Sequence, residues 1–182
     1  MVASLTAAAL TFAPAHHAIG SHAGVQQRPR ATAARAAPQL SNLESQLLDE
    51  INGVRARRGL RLFRLSRGLT AAADQHSVSM VQKGYFSHAS ANGTSFWKRI
   101  ASFYGYRGYR RWAVGENILW ASPDVSPAEG LHMWMTSPEH RANLLDRSWR
   151  EIGISAVHAS SAPGVYGGDE VTVVTADFGV RG

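Results

Sequence analysis

The sequence predicts an α+β fold in which helices come first and a small sheet follows. Helix caps precede apolar stripes at helical spacing as far as residue 145. After that come two short β-branched runs around a Gly/Pro loop. Residues 41–182 are also long enough for one core, since a domain of ~150 residues buries about 68–70% of its unfolded surface.

The elements follow in order. Ser41-Asn42-Leu43-Glu44 is a capping box, and Leu43, Leu47, Ile51 and Val54 form one stripe behind it. Gly59, after a basic run, stops that helix. A second helix is expected from Ser66 to Lys83, burying Leu69, Ala72, Ala73, His76 and Met80 and ending at Gly84. Asn92-Gly93-Thr94 is read as the start of a third, with Phe96, Ile100 and Phe103 inward. Ser126-Pro127-Ala128-Glu129 is a second capping box with proline at the first helical position, opening a helix through Leu131 and Trp134. Ser137-Pro138-Glu139 restarts a helix and places His140 in its first turn. EIGISAVHA and VTVVTADFG, joined by a Gly/Pro loop, read as an antiparallel pair, and GENILWAS as a further strand.

The first forty residues differ. VASLTAAALTFAPA is apolar and ends in small residues, with Ala13-Pro14-Ala15 resembling a peptidase site. It is expected to be a signal peptide over 1–15, followed by a linker over 16–40 too poor in large apolar side chains to fold. The third segment, 41–182, is the domain. Export is expected over the alternative, a plain disordered tail on a cytosolic protein, and would make the protein secreted or extracellular, with cell-envelope association as one option. No apolar run reaches the ~18 residues of a spanning helix.

The chain has no cysteine, which excludes thiolate nucleophiles, thiolate metal sites and disulfides. Net charge is +6, concentrated in RARRGLRLFRLSRG (55–68) and YGYRGYRRWAV (104–114). Three readings fit: nucleic-acid binding, a plain solvated basic surface, and attraction to anionic wall polymers or lipid headgroups. The plain solvated surface leads, an anionic cell-envelope polymer is the second reading, no nucleic-acid partner is expected, and the chain is expected to be a monomer.

Three residues raise the question of a site: His88 in a loop past a helix end, Glu116 beside an apolar run, and His140. Two imidazoles and a carboxylate suit a divalent ion, yet their spacing is no local metal motif. The plainer alternatives are packed histidines and a loop carboxylate capping backbone N–H groups, as Asn117 also could. A buried carboxylate still needs a partner, either an imidazolium or a metal. No G-x-S-x-G elbow is present, and Ser87 and Ser137, near the histidines, have no aspartate to orient a triad.

These residues carry a resemblance. Tyr85-Phe86-Ser87-His88, Gly115-Glu116-Asn117-Ile118 and Trp134 through Leu145 (WMTSPEHRANLL) resemble the signature blocks of the CAP superfamily. That superfamily includes cysteine-rich secretory proteins, antigen 5 and plant pathogenesis-related proteins. N-x-x-R-x-x-x-G (Asn52 to Gly59), A-x-x-H-S-x-x-M (Ala73 to Met80), E-I-G-I and a terminal D-F-G stand in matching order. The resemblance covers about residues 43–179 and is to the cysteine-free bacterial branch. It implies a three-layer α-β-α sandwich with a central antiparallel sheet and a large cleft. His88, Glu116 and His140 would be metal ligands there, zinc foremost, with Ser137 and Asn117 lining the cleft. The family's second glutamate, in W-x-x-E, is absent: Trp134 is followed by Met135, Thr136 and Ser137. His76 also matches a family position, but its helix face assigns it to packing.

Three functions are expected in order. The first is a non-catalytic secreted module binding a metal and a small or lipid-like ligand, or the envelope. The second is a metal-dependent hydrolase using Glu116 and metal-bound water. The third is a structural extracellular or coat domain.

Overall fold

The structure is a computed structural model and describes residues 2–5 and 40–182. Apart from a strand at Val2–Leu5, the expected signal peptide and almost all of the linker lie outside the described residues.

In chain order the elements are β1 (Val2–Leu5), α1 (Asn42–Arg57), β2 (Arg64–Leu65), α2 (Arg67–Lys83), α3 (Phe96–Phe103), β3 (Trp112–Ala121), α4 (Pro127–Thr136), α5 (Pro138–Leu145), β4 (Glu151–Ala159) and β5 (Val171–Arg181). The sheet runs β1-β3-β5-β4-β2. Its body is antiparallel, with Trp112 opposite Arg181 and Glu151 opposite Gly179. The two-residue β2, which the sequence did not announce, pairs parallel to β4 at one edge. Helices α1, α4 and α5 cover one face, and α2 with α3 the other. The arrangement is the three-layer α-β-α sandwich.

The local reasons are those of the sequence, with two corrections. Both capping boxes form: the Ser41 and Ser126 hydroxyls accept from the N–H groups of Glu44 and Glu129, whose carboxylates reach back. Gly84 ends α2 in the left-handed region, φ 66°, donating to Met80 O. The third helix, however, starts at Phe96, not at residues 92–94. There the Asn92 side chain accepts from Thr94 N–H (3.0 Å), closing a turn that uses the positive φ of Gly93. Phe103, expected inward, is 39% exposed, because the helix ends as it clears the sheet.

Strand alternation divides the core. On the α1/α4/α5 face, Ala113, Leu119 and Ala121 of β3 join Val174, Ala176 and Phe178 of β5 beneath Leu47, Ile51, Trp134 and Leu144. On the other face β3 presents Trp112, Val114, Ile118 and Trp120. Here the apolar core is split in two, with Met80, Val173 and Tyr166 on one side and Leu69, Phe96 and Ile100 on the other. The position of β3 between the halves is Glu116.

Candidate functional site

The alternation that splits the core also makes a polar layer. Glu116 stands directly opposite Asp177 across the β3–β5 ladder, and Thr175 follows on the same face. Ser77 of α2 donates to Thr175 Oγ1 at 2.8 Å, which anchors the helix over the layer. Glu116 and Asp177 are both 0% exposed.

Two segments deliver partners to Glu116. Past the Gly84 break the chain runs through Tyr85, whose hydroxyl meets Ser79 Oγ at 3.1 Å and whose carbonyl accepts from the Tyr166 hydroxyl. This fixes the loop so that His88 Nδ1 lies 2.7 Å from Glu116 Oε1. From α3, Arg99 ion-pairs with Glu116 Oε2 through Nη2. Its Nη1 donates to His88 O (3.0 Å) and Ser90 Oγ (3.2 Å), tying the histidine loop to the same guanidinium. His76 of α2 is fully buried, with Nε2 4.0 Å from Glu116 Oε2. That nitrogen donates to Ser87 O at 2.9 Å.

The electrostatics follow from burial and these neighbours. Desolvation alone would raise the Glu116 pKa. The His88 hydrogen bond and the Arg99 charge outweigh it and hold the carboxyl below its ordinary value. Asp177 goes the other way: burial first, then the Glu116 charge across the ladder, push it well above the usual carboxylate range. Two like charges directly opposed in a sheet repel, which favours the protonated form of Asp177 beside the Glu116–Arg99 ion pair. Burial is also the main cause of the His76 pKa falling from 6.5 to about 4, so that imidazole is neutral.

His88 and Glu116 meet as expected. The backbone of His140 lies on the opposite side of the sheet, against Asn117. Glu116 and Asn117 are neighbours on a strand and point to opposite faces. Asn117 donates to His140 O at 3.0 Å and accepts from Asn143 Nδ2 at 2.9 Å, and Asn143 also reaches Glu116 O. The SPEHRANLL segment thereby pins the backbone of β3 from the α5 side. Asn117 is buried within this clamp, and Ser137 sits at the junction of α4 and α5.

Both Glu116 oxygens are engaged, one by His88 and the other by the Arg99 guanidinium. Among the described residues no group of three or more His, Asp or Glu side chains is arranged to hold an ion. The residues present do not fit a bound divalent metal.

Arg99 and Asp177 were not singled out from the sequence, and His76 was assigned to packing alone. A signal for each was there. Arg99 lies on the 96-99-100 stripe of an otherwise apolar helix face, and Asp177 is the one acidic residue of a largely apolar strand.

Outside the layer, a groove of about 880 Å³ runs between α2 and residues 90–103. His76 and Arg99 reach its wall, so the network stands directly behind it. Gln75, Ser79, Gln82, Asn92 and Thr94 give it a hydroxyl and amide lining, with Lys83 and Lys98 among the charges.

The fold and this layer define a class, an α-β-α sandwich with a buried His/Glu network behind a surface groove. The chain belongs to the cysteine-rich secretory protein (CAP) family, whose profile matches residues 48–178. It is similar to the uncharacterized protein YkwD of Bacillus subtilis, 30% identical over 130 residues, which is 71% of this chain and 48% of that protein. The uncharacterized membrane protein YlbC of the same organism is 31% identical over 112 residues, 61% of this chain and 30% of that one. The chain thus spans about half the length of the first of these relatives and less of the second. Among solved structures, an extracellular SCP-domain protein of Bacillus anthracis shares the fold with TM-score 0.57 and 24% identity, covering 78% of this chain and 44% of that one. An outer surface protein of Borrelia burgdorferi does so with TM-score 0.57 and 19% identity, covering 76% and 92%. No helix among the described residues is long and apolar enough to cross a membrane.

Proposed function

We propose that the chain is an exported, non-catalytic binding module that takes a small polar ligand, of the saccharide class, in the groove between α2 and residues 90–103. The observation that carries this is the state of Glu116. A general base needs a free oxygen within reach of a proton. Here one oxygen is held by His88, the other by Arg99, and the residue has no exposure. The ion pair is a rigid back wall to the groove. Binding falls to the hydroxyl and amide groups in front of it, which suit a polyhydroxylated ligand, with half-exposed Phe103 offering a ring to stack on a sugar face. Export agrees with the structural similarity to an extracellular protein and an outer surface protein.

No metal enters this reading, because Arg99 already supplies the cation. The isotope-labelled chain, titrated with chito-oligosaccharides, is expected to shift amide signals of α2 and residues 90–103. Gln75→Ala/Gln82→Ala should abolish those shifts. A parallel calorimetric titration with zinc is expected to give no one-equivalent step. A zinc step that vanishes in His88→Ala/His140→Ala would overturn the metal-free reading. Groove signals unmoved by any saccharide would overturn the ligand class.

A further inference from the structure

The register of the sheet brings several chain segments to one end. Trp112 begins β3 opposite Arg181 near the end of β5, Glu151 begins β4 opposite Gly179, and Arg64 of β2 pairs with Glu151. Four neighbouring strands therefore start or finish together, and strands lie about 4.8 Å apart. Three loops meet there, spanning 58–63, 104–111 and 146–150. Main-chain bonds join them to the strand ends: Arg64 N–H to Arg150 O, Arg150 N–H to Gly179 O, and Arg111 N–H to Gly182 O. The loops are stiffened. Buried Arg55 donates to Arg61 O and Asp146 O, and Arg181 stacks on the rings of Tyr104 (4.1 Å) and Tyr109 (5.0 Å).

This end is strongly basic. Arg61, Arg64, Arg107, Arg110, Arg111 and Arg147 are all exposed. The nearby carboxylates are already engaged: Asp146 accepts from Ser148 N–H, and Glu151 takes the Tyr104 hydroxyl and lies 3.9 Å from Arg181. Every cation in 55–68 and 104–114 is arginine, none lysine. The guanidinium fork pairs with phosphate oxygens two at a time and is weakly hydrated.

Charge is accompanied by apolar exposure. Leu62 is 53% exposed, Tyr106 44% and Tyr109 39%, all in the same loops. Single exposed apolar residues need no explanation. Their clustering among arginines does. A soluble polyanion would use only the guanidinium groups and leave Leu62 in water. A lipid surface uses both, with phosphates for the arginines and an acyl boundary for leucine and tyrosine tips.

We propose that this end of the sheet docks the protein peripherally on an anionic lipid bilayer. The arginines hold headgroup phosphates, and Leu62, Tyr106 and Tyr109 enter the interface. The surface is separate from the groove, so either can fail without the other.

The test is co-sedimentation of the full chain with phosphatidylglycerol/phosphatidylcholine vesicles and with pure phosphatidylcholine vesicles. Binding is expected on the anionic vesicles only and is expected to weaken as salt rises. Arg110→Glu/Arg111→Glu should lower the partition coefficient at least tenfold. Leu62→Ser/Tyr106→Ser should lower it several-fold with the salt dependence kept. These positions are exposed, and unchanged thermal melts will show that the variants fold. Equal binding to neutral vesicles, or none to either, would overturn the proposal. So would binding to long-chain inorganic polyphosphate as tight as to vesicles and indifferent to Leu62→Ser/Tyr106→Ser, which would assign a soluble polyanion instead.

Discussion

At the scale of single residues, the side chains around Glu116 decide what it does. A carboxylate in the middle of an apolar strand face is unstable alone. Arg99 and His88 make it tolerable by engaging one carboxylate oxygen each. A buried ion pair is a poor source of net stability, yet removing one partner leaves an uncompensated charge and costs about 3–5 kcal/mol. Arg99→Met is therefore expected to destabilise by that amount in denaturant titration, and Arg99→Met/Glu116→Gln to recover most of it. Additive losses in that double-mutant cycle would mean that the two side chains do not act as a pair.

At the scale of elements, the motifs act chiefly as joints. Asn52 bonds both backbone groups of Phe63, while Arg55 joins the end of α1 to the end of α5 through Leu144 O (2.7 Å). Gly153 lets α2 lie against β4. A methyl group there would stand 2.1 Å from the Leu69 carbonyl carbon and the Thr70 nitrogen, and backbone cannot step aside. Gly153→Ala is expected to cost about 3 kcal/mol or more, at or beyond the upper end for overpacking. It should lower the denaturant midpoint without changing α-helix content at zero denaturant. The caps, the helix stripes and the glycine in E-I-G-I were all legible beforehand, because each is a local rule written in adjacent residues. The short β2 was not legible, since a two-residue strand has no period and exists only because β4 lies beside it.

For the whole molecule, the polar layer couples stability to pH in two opposed directions. The lowered His76 pKa means that the folded state binds fewer protons than the unfolded chain. That contribution is present above pH 6.5 and is lost as pH falls toward about 4. Asp177 has a raised pKa, so folding takes up a proton, and its contribution is lost as pH rises above its ordinary value, ~3.9. Asp177→Asn keeps the neutral shape without the proton. It is expected to raise the thermal midpoint at pH 7 and to change it little near pH 4. His76→Gln should flatten the acid decline between pH 6.5 and 4. A parallel decline in wild type and His76→Gln would place the acid sensitivity elsewhere.

Read by itself, the sequence determined the helices, the late antiparallel pair, the family and the meeting of His88 with Glu116. These rest on caps, periodicities and motif order, which one chain carries along its length. Tertiary structure decided the rest. Strand alternation sent Glu116 and Asn117 to opposite faces, so it is Asn117 that takes the main-chain carbonyl of His140. Strand register set Asp177 against Glu116. Helix packing brought in Arg99, which pairs with Glu116 behind the groove. These outcomes depend on which face and which partner a residue meets across the sheet, a relation between segments up to sixty residues or so apart that no local pattern encodes.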